Sequence, residues 1–115
     1  IAFGGKFNQK CDLPVNVRYL RLDCNNKYLV ENLPSSIEGI ELGIDFNLEL
    51  DNLPSSVKKI IFDYHGEFNK KLNCLHVGLK VLVIPHSYEH QLQNIPNELK
   101  KEGRKMKKIL FKKLT

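Results

Sequence analysis

Apolar positions recur along this chain with a period of about twenty residues. The units read Val17-x-x-Leu20-x-Leu22, Ile37-x-x-Ile40-x-Leu42, Val57-x-x-Ile60-x-Phe62 and Leu79-x-x-Leu82-x-Ile84, and Ile1 and Phe3 read as the end of an earlier copy. Four residues before each first apolar position stands Leu13, Leu33, Leu53 or Leu75, followed by proline in the first three cases; Ile95-Pro96 repeats the dipeptide later. Residues two apart in a strand share a face, so Leu20 and Leu22 and their equivalents point one way, and Arg21, Glu41, Ile61 and Val83 the other. A coil of this length cannot bury its own apolar face. Stacking the coils in parallel, roughly 4.8 Å apart, makes one continuous core.

The corners are legible too. Proline fixes φ and holds the preceding leucine extended, which places a sharp bend at the same point of each coil. The Ser-Ser pairs at 35–36 and 55–56 can bond turn amides there, and Gly4-Gly5 reads as a turn after the first strand. The back of each coil carries an aromatic: Phe7, Tyr28, Phe46, Phe68 and Tyr88, three of them followed by asparagine. These aromatics are expected to stack as an inner spine, with the asparagines satisfying backbone groups of a segment that has no ladder of its own. The third residue after each strand pair is polar (Lys6, Asn25, Asp45, His65, Ser87), much like the asparagine ladder of leucine-rich repeats.

The expected fold class is therefore an α/β-type repeat solenoid. It is a short leucine-rich-repeat-like stack of parallel β-strands, mostly β and loop, with a short helix or final strand at the C-terminus. A single domain covers residues 1–115, with units at about 1–12, 13–32, 33–52, 53–74 and 75–94, and a divergent cap at 95–115. In the cap Glu102 and Arg104 occupy the apolar positions. Two arrangements fit. Either Pro96–Glu102 is a short helix stopped by Gly103 and Met106-x-x-Ile109-x-Phe111 is a last strand, or residues 97–114 form one amphipathic helix on Leu99, Met106, Leu110 and Leu114. The likeness of Met106-Lys-Lys-Ile-Leu-Phe111 to Val57-Lys-Lys-Ile-Ile-Phe62 favours the first.

Phe-Asn followed by Leu-Pro-x-Ser-Val-x-x-Ile-x-Phe resembles the FNIP repeat, a leucine-rich-type repeat abundant in amoebal and giant-virus proteins. Leu53-Pro-Ser-Ser-Val-Lys-Lys-Ile-Ile-Phe62 is the best copy, and the likeness covers about residues 1–96. The name-giving Phe-Asn-x-Pro-Ile is never complete, because Phe7-Asn8-Gln-Lys, Phe46-Asn47-Leu-Glu and Phe68-Asn69-Lys-Lys lack the proline. Many such proteins carry an F-box upstream, so the resemblance implies substrate reception for a ubiquitin ligase. No F-box lies within these residues.

Charge changes the picture only at one end. The net charge is +5, yet residues 97–115 hold eight Lys/Arg against two Glu, so the body is nearly neutral. The basic end could meet nucleic acid or an anionic surface, but its lysines flank apolar positions and Phe111 is its one aromatic, so a solvated terminal cap is the favoured reading. The chain opens at Ile1 without methionine, charged n-region or apolar h-region, so it reads as a fragment and not as a signal peptide. Three irregularly spaced cysteines, no N-x-S/T sequon and no long apolar run suggest a reduced, cytoplasmic protein (host cytoplasm if viral) with no membrane contact.

Catalytic chemistry finds no support: there is no Gly-x-Ser-x-Gly, no phosphate-cradling glycine loop and no Cys-His pair of catalytic spacing. His86 with His90, and Cys74 with His76, could be imagined as zinc ligands, but a repeat turn and a core approach explain them better. No enzyme activity and no cofactor are expected. The most informative surface is the strand face opposite the core. Its candidate binding residues are Tyr19, Arg21, Glu41, Lys59, Ile61, Asp63, Val81, Val83 and Leu110, with an apolar strip toward the C-terminal end formed by Ile61, Val81, Val83 and Leu110. An interaction module with an unnamed protein partner is the leading expectation. A scaffold that self-associates through open solenoid ends is the alternative, and nucleic-acid binding ranks third.

Overall fold

A computed structural model describes residues 1–72, 75, 76, 78–90, 99–102 and 110–113, the last two stretches by their backbone. Five short strands run in parallel: β1 (Ala2–Phe3), β2 (Tyr19–Leu22), β3 (Gly39–Leu42), β4 (Lys59–Phe62) and β5 (Val81–Val83). They form a β-solenoid of about four turns. The register follows the repeat: Leu20 pairs with Ile40, Ile40 with Ile60 and Ile60 with Leu82, while Leu22, Leu42 and Phe62 form the next row. Ala2 opposite Arg21 puts Ile1 in the Leu20 position, as its reading with Phe3 as the end of an earlier copy implies. All of Leu20, Leu22, Ile40, Leu42, Ile60, Phe62, Leu82 and Ile84 are buried.

Each coil bends at the proline corner. The Pro14, Pro34 and Pro54 carbonyls accept from the amides of Val17, Ile37 and Val57, and His76 does the same for Leu79 without a proline. Of the two serines at the second such corner, Ser36 reaches across to the preceding coil, its Oγ donating to the Val17 carbonyl at 2.6 Å. A second corner follows the strands, where Gly4, Gly43 and Pro85 accept from Phe7, Phe46 and Tyr88. In the fourth unit this corner is longer: Gly66 bonds back to Asp63 and Glu67 to Ile44. That locates the extra residues that stretch the step from Leu53 to Leu75.

The aromatic spine forms in part. Phe46, Phe62 and Phe68 cluster, with Phe62 and Phe68 stacked at 4.3 Å, and Tyr88 stacks on Phe68 at 5.8 Å. Phe3 and Phe7 pair at 4.9 Å. Tyr28 does not join them. It lies on a five-residue helix that the strand pattern does not announce, α1 (Lys27–Glu31), and its hydroxyl donates outward to Asp12 at 2.7 Å. Leu29 and Val30 fill the core in its place. Asn26 caps the helix, accepting from the Leu29 amide, and donates to the Gln9 carbonyl, so this buried amide is satisfied on both sides.

An asparagine ladder exists; it starts at Asn25 of the expected column and continues on the asparagines that follow Phe46 and Phe68. The Asn25 carboxamide oxygen accepts from the Asn47 amide, Asn47 from Asn69 and Asn69 from Glu89, at 2.7, 3.2 and 3.1 Å. Asp45, His65 and Ser87 do not carry it; the Phe-Asn asparagines do. At the C-terminal end, β6 (Leu99–Glu102) and β7 (Leu110–Lys113) form an antiparallel pair, and β7 joins β5 antiparallel. Strand therefore stands over 99–102 where a short helix is expected, residues 96–98 lying outside those described, and one helix over 97–114 is excluded by the two strands. The last strand is present, reversed in direction relative to the stack.

Candidate functional site

The outward rows of the sheet are set by the same register as the core. Tyr19, Gly39, Lys59 and Val81 form one row, and Arg21, Glu41, Ile61 and Val83 the next. Alternation puts these side chains opposite Leu20, Ile40, Ile60 and Leu82. Tyr19 is 61 % exposed, and Arg21, Glu41 and Lys59 are also exposed. Ile61, Asp63 and Val81 are half-buried.

Val83 departs from expectation. It alternates with the core residue Leu82, yet it is 8 % exposed. β5 is an interior strand, flanked by β4 and β7, with Leu110 opposite Val83 in the backbone register. The expected exposed apolar strip at the C-terminal end is therefore not an open surface at Val83, and the Leu110 side chain lies outside what the structure describes.

The open space lies toward the other end of the face. A groove of ≈ 560 Å³ is lined by Tyr19, Arg21, Gly39, Glu41, Lys59 and Ile61, together with Ile1, Ala2, Leu20 and Ile40. Five of the nine candidate residues thus share one concavity. One of its lining residues is glycine. A Cβ built on Gly39 would meet Tyr19 Cδ1 at 2.9 Å, so the ring leans over that residue. A Cβ on Gly43 would strike the Asp23 carboxylate. Glycine in a strand marks close approach of this kind, which is the signal by which Gly39, the first residue of β3, could have been added to the candidate residues.

Charge on the face is organised. Arg21 bridges Asp23 and Glu41, both at 3.1 Å, and hydrogen bonding to Asp23 and then Glu41 holds its guanidinium above its ordinary pKa. Arg18 lies 3.7 Å from Glu38. Asp63 accepts from the His65 amide through Oδ1 at 2.9 Å.

Among the described residues no group of three or more His, Cys, Asp or Glu comes together as a metal site. His86 donates from Nδ1 to the Tyr64 carbonyl and stacks on the Tyr64 ring at 4.8 Å, and His90 Nε2 meets the Asn69 carbonyl at 2.7 Å. Both histidines are thus engaged with the coil before them. Cys74 lies outside the described residues; His76 accepts from the Gly78 amide through Nδ1. Cys11 and Cys24 are unbridged, and burial pushes the Cys24 thiol up in pKa. No helix among the described residues is long and apolar enough to cross a membrane.

This geometry defines a leucine-rich-type β-solenoid whose coils differ in the residues they present outward. The FNIP Repeat family model matches residues 7–45 and 25–65, two overlapping windows that each span about two coils. The chain belongs to the FNIP repeat family. No curated protein and no solved structure matches it.

Proposed function

We propose that this chain is a protein-interaction module that binds its partner through the outward strand face and acts by binding, not by catalysis. The observation that carries this reading is the ≈ 560 Å³ groove, which gathers Tyr19, Arg21, Glu41, Lys59 and Ile61 from three successive coils. Apolar Tyr19 and Ile61 stand in it beside charged Arg21, Glu41 and Lys59, and aromatic and arginine side chains are enriched in recognition patches. A solenoid also supplies rigidity, because each coil is fixed by its neighbours. The unbridged Cys11 and Cys24 fit a reducing intracellular setting. The family resemblance supports a finer reading, in which these are the substrate-recognition repeats of a ubiquitin-ligase receptor with an F-box elsewhere in the protein.

The test is quantitative affinity capture from cell lysate with wild type, Ile61→Glu and Tyr19→Ala. A charge in the groove wall at Ile61 is expected to remove the captured partner, with melting temperature within a few degrees of wild type, since Ile61 lies off the core. A well-folded Ile61→Glu protein that retains its partners refutes the strand-face reading. Association of the full-length protein with the adaptor subunit that receives F-boxes tests the finer one, and its absence removes it.

A further inference from the structure

We propose that the strand face takes an extended acidic peptide segment, with an apolar side chain seated in the groove between Tyr19 and Ile61 and carboxylates on a row of lysines beside it. This rests on the strand-face reading above and names the chemistry of its partner.

The argument begins with which cations on this face already have anions. Arg21 is matched by Asp23 and Glu41, and Arg18 by Glu38. Lys58, Lys59 and Lys80 are exposed and form no ion pair among the described residues. These three lysines converge with Tyr19 and Glu38 around a depression of ≈ 230 Å³. It shares Tyr19 and Lys59 with the larger groove, so a basic and an apolar concavity adjoin along one wall.

Lys58 and Lys80 stand on neighbouring coils, the Lys80 amide bonding the Lys58 carbonyl at 2.8 Å. Like charges on adjoining strands oppose folding. An anionic ligand relieves that repulsion, and a carboxylate-bearing one also tolerates the carboxylates of Glu38 and Glu41 nearby better than a continuous phosphate backbone does. Nucleic acid is further disfavoured because Tyr19 is the single aromatic ring lining the two depressions, whereas single strands need successive stacking platforms. An extended peptide places alternate side chains roughly 6.6 Å apart on one face, which lets one apolar residue enter the groove while its neighbours reach the lysines.

The experiment is selection of a random display library of peptides of about ten residues on the 115-residue chain. The enriched peptides are then titrated against wild type, Lys58→Glu/Lys80→Glu, the milder Lys58→Gln/Lys80→Gln, and Ile61→Glu, each checked by thermal melting. Enriched peptides should pair an apolar residue with Asp or Glu. Their affinity should fall at least about tenfold in the charge-reversal variant, less in the glutamine variant, and steeply with added salt. Apolar peptides without acids, lost on Ile61→Glu but indifferent to the lysine variants, would overturn the acidic inference and leave the strand-face reading standing. Peptides indifferent to every variant would overturn both. A library that yields nothing overturns the inference too, as does exclusive lysine-dependent binding of an oligothymidine or of phosphatidylserine vesicles run in parallel.

Discussion

Ile60 is fully buried and sits between Ile40 and Leu82 in the strand register, so Ile60→Asp places an unpaired carboxylate among aliphatic side chains. The expected cost is about 3–5 kcal/mol, comparable with the whole stability of a domain this small. Arg21→Ala removes two ion pairs, but Arg21, Asp23 and Glu41 all keep solvent exposure, so less than about 1 kcal/mol should be lost. Chemical denaturation ranks the two; the reverse order would invert the assignment of inside and outside. Cys24 offers a second residue-scale reading. Its folded-state pKa is raised by burial, so the folded protein holds that proton while the unfolded chain releases it above about pH 8.5. The contribution is fully present below that pH and is lost as pH rises through the folded value. Stability should therefore decline on the alkaline side, and Cys24→Ala should flatten the decline. A pH series of melts in which wild type and variant run parallel above pH ~9 excludes the thiol as the cause.

At the scale of the element, strands and corners were legible because their causes are local and repeat. A two-residue alternation names the strand, Leu-Pro names the bend, and four copies fix the register of Leu20, Ile40, Ile60 and Leu82. What escaped the sequence depends on exchange between coils. Tyr28 shares its spacing with the other aromatics, but α1 turns it outward, and nothing in one coil says that Leu29 will take the core place. Asn47 and Asn69 satisfy backbone amides of the following coil, as their place after the aromatics implies, but that they continue one ladder from Asn25, with Asp45, His65 and Ser87 outside it, shows only once the coils are stacked. In the candidate site, the outward positions of Ile61 and Lys59 were legible from alternation, whereas the burial of Val83 was not, since it lies on β5 beside the reversed strand β7, which breaks the repeat. The helix yields a prediction of its own. Asn26 is 2 % exposed and both accepts from Leu29 and donates to Gln9, so Asn26→Ala removes a cap and strands a buried carbonyl at about 2–3 kcal/mol. Asn25→Ala, at an exposed ladder position, should cost less than about 1 kcal/mol, since water can replace its bonds. Equal urea midpoints for the two variants would show that burial does not decide the cost.

For the whole molecule, a stack whose coils touch only their neighbours should be most stable where neighbours lie on both sides. β3 has full four-residue partners in β2 and β4, while β2 meets only the two residues of β1 on its other edge. Phe3 and Phe7, which cover that edge, are half-buried, in contrast to the fully buried Phe46, Phe62 and Phe68. Amides that reach the same depth in different coils can therefore be compared directly. Asp23 donates to Phe3, Gly43 to Leu22 and Asp63 to Leu42, at 3.0, 2.8 and 2.9 Å. Their hydrogen-bond lengths are nearly equal, so bond geometry does not distinguish them; their distance from the middle of the stack does. In native-state hydrogen exchange the Gly43 and Asp63 amides should be protected at close to the global unfolding free energy, and Arg21 and Asp23 should open earlier through local loss of β1. Added denaturant should merge the classes only near the unfolding midpoint. Uniform protection at all four amides, with one shared denaturant dependence, would mean that the coils unfold as a single cooperative body and that nearest-neighbour additivity fails at this length.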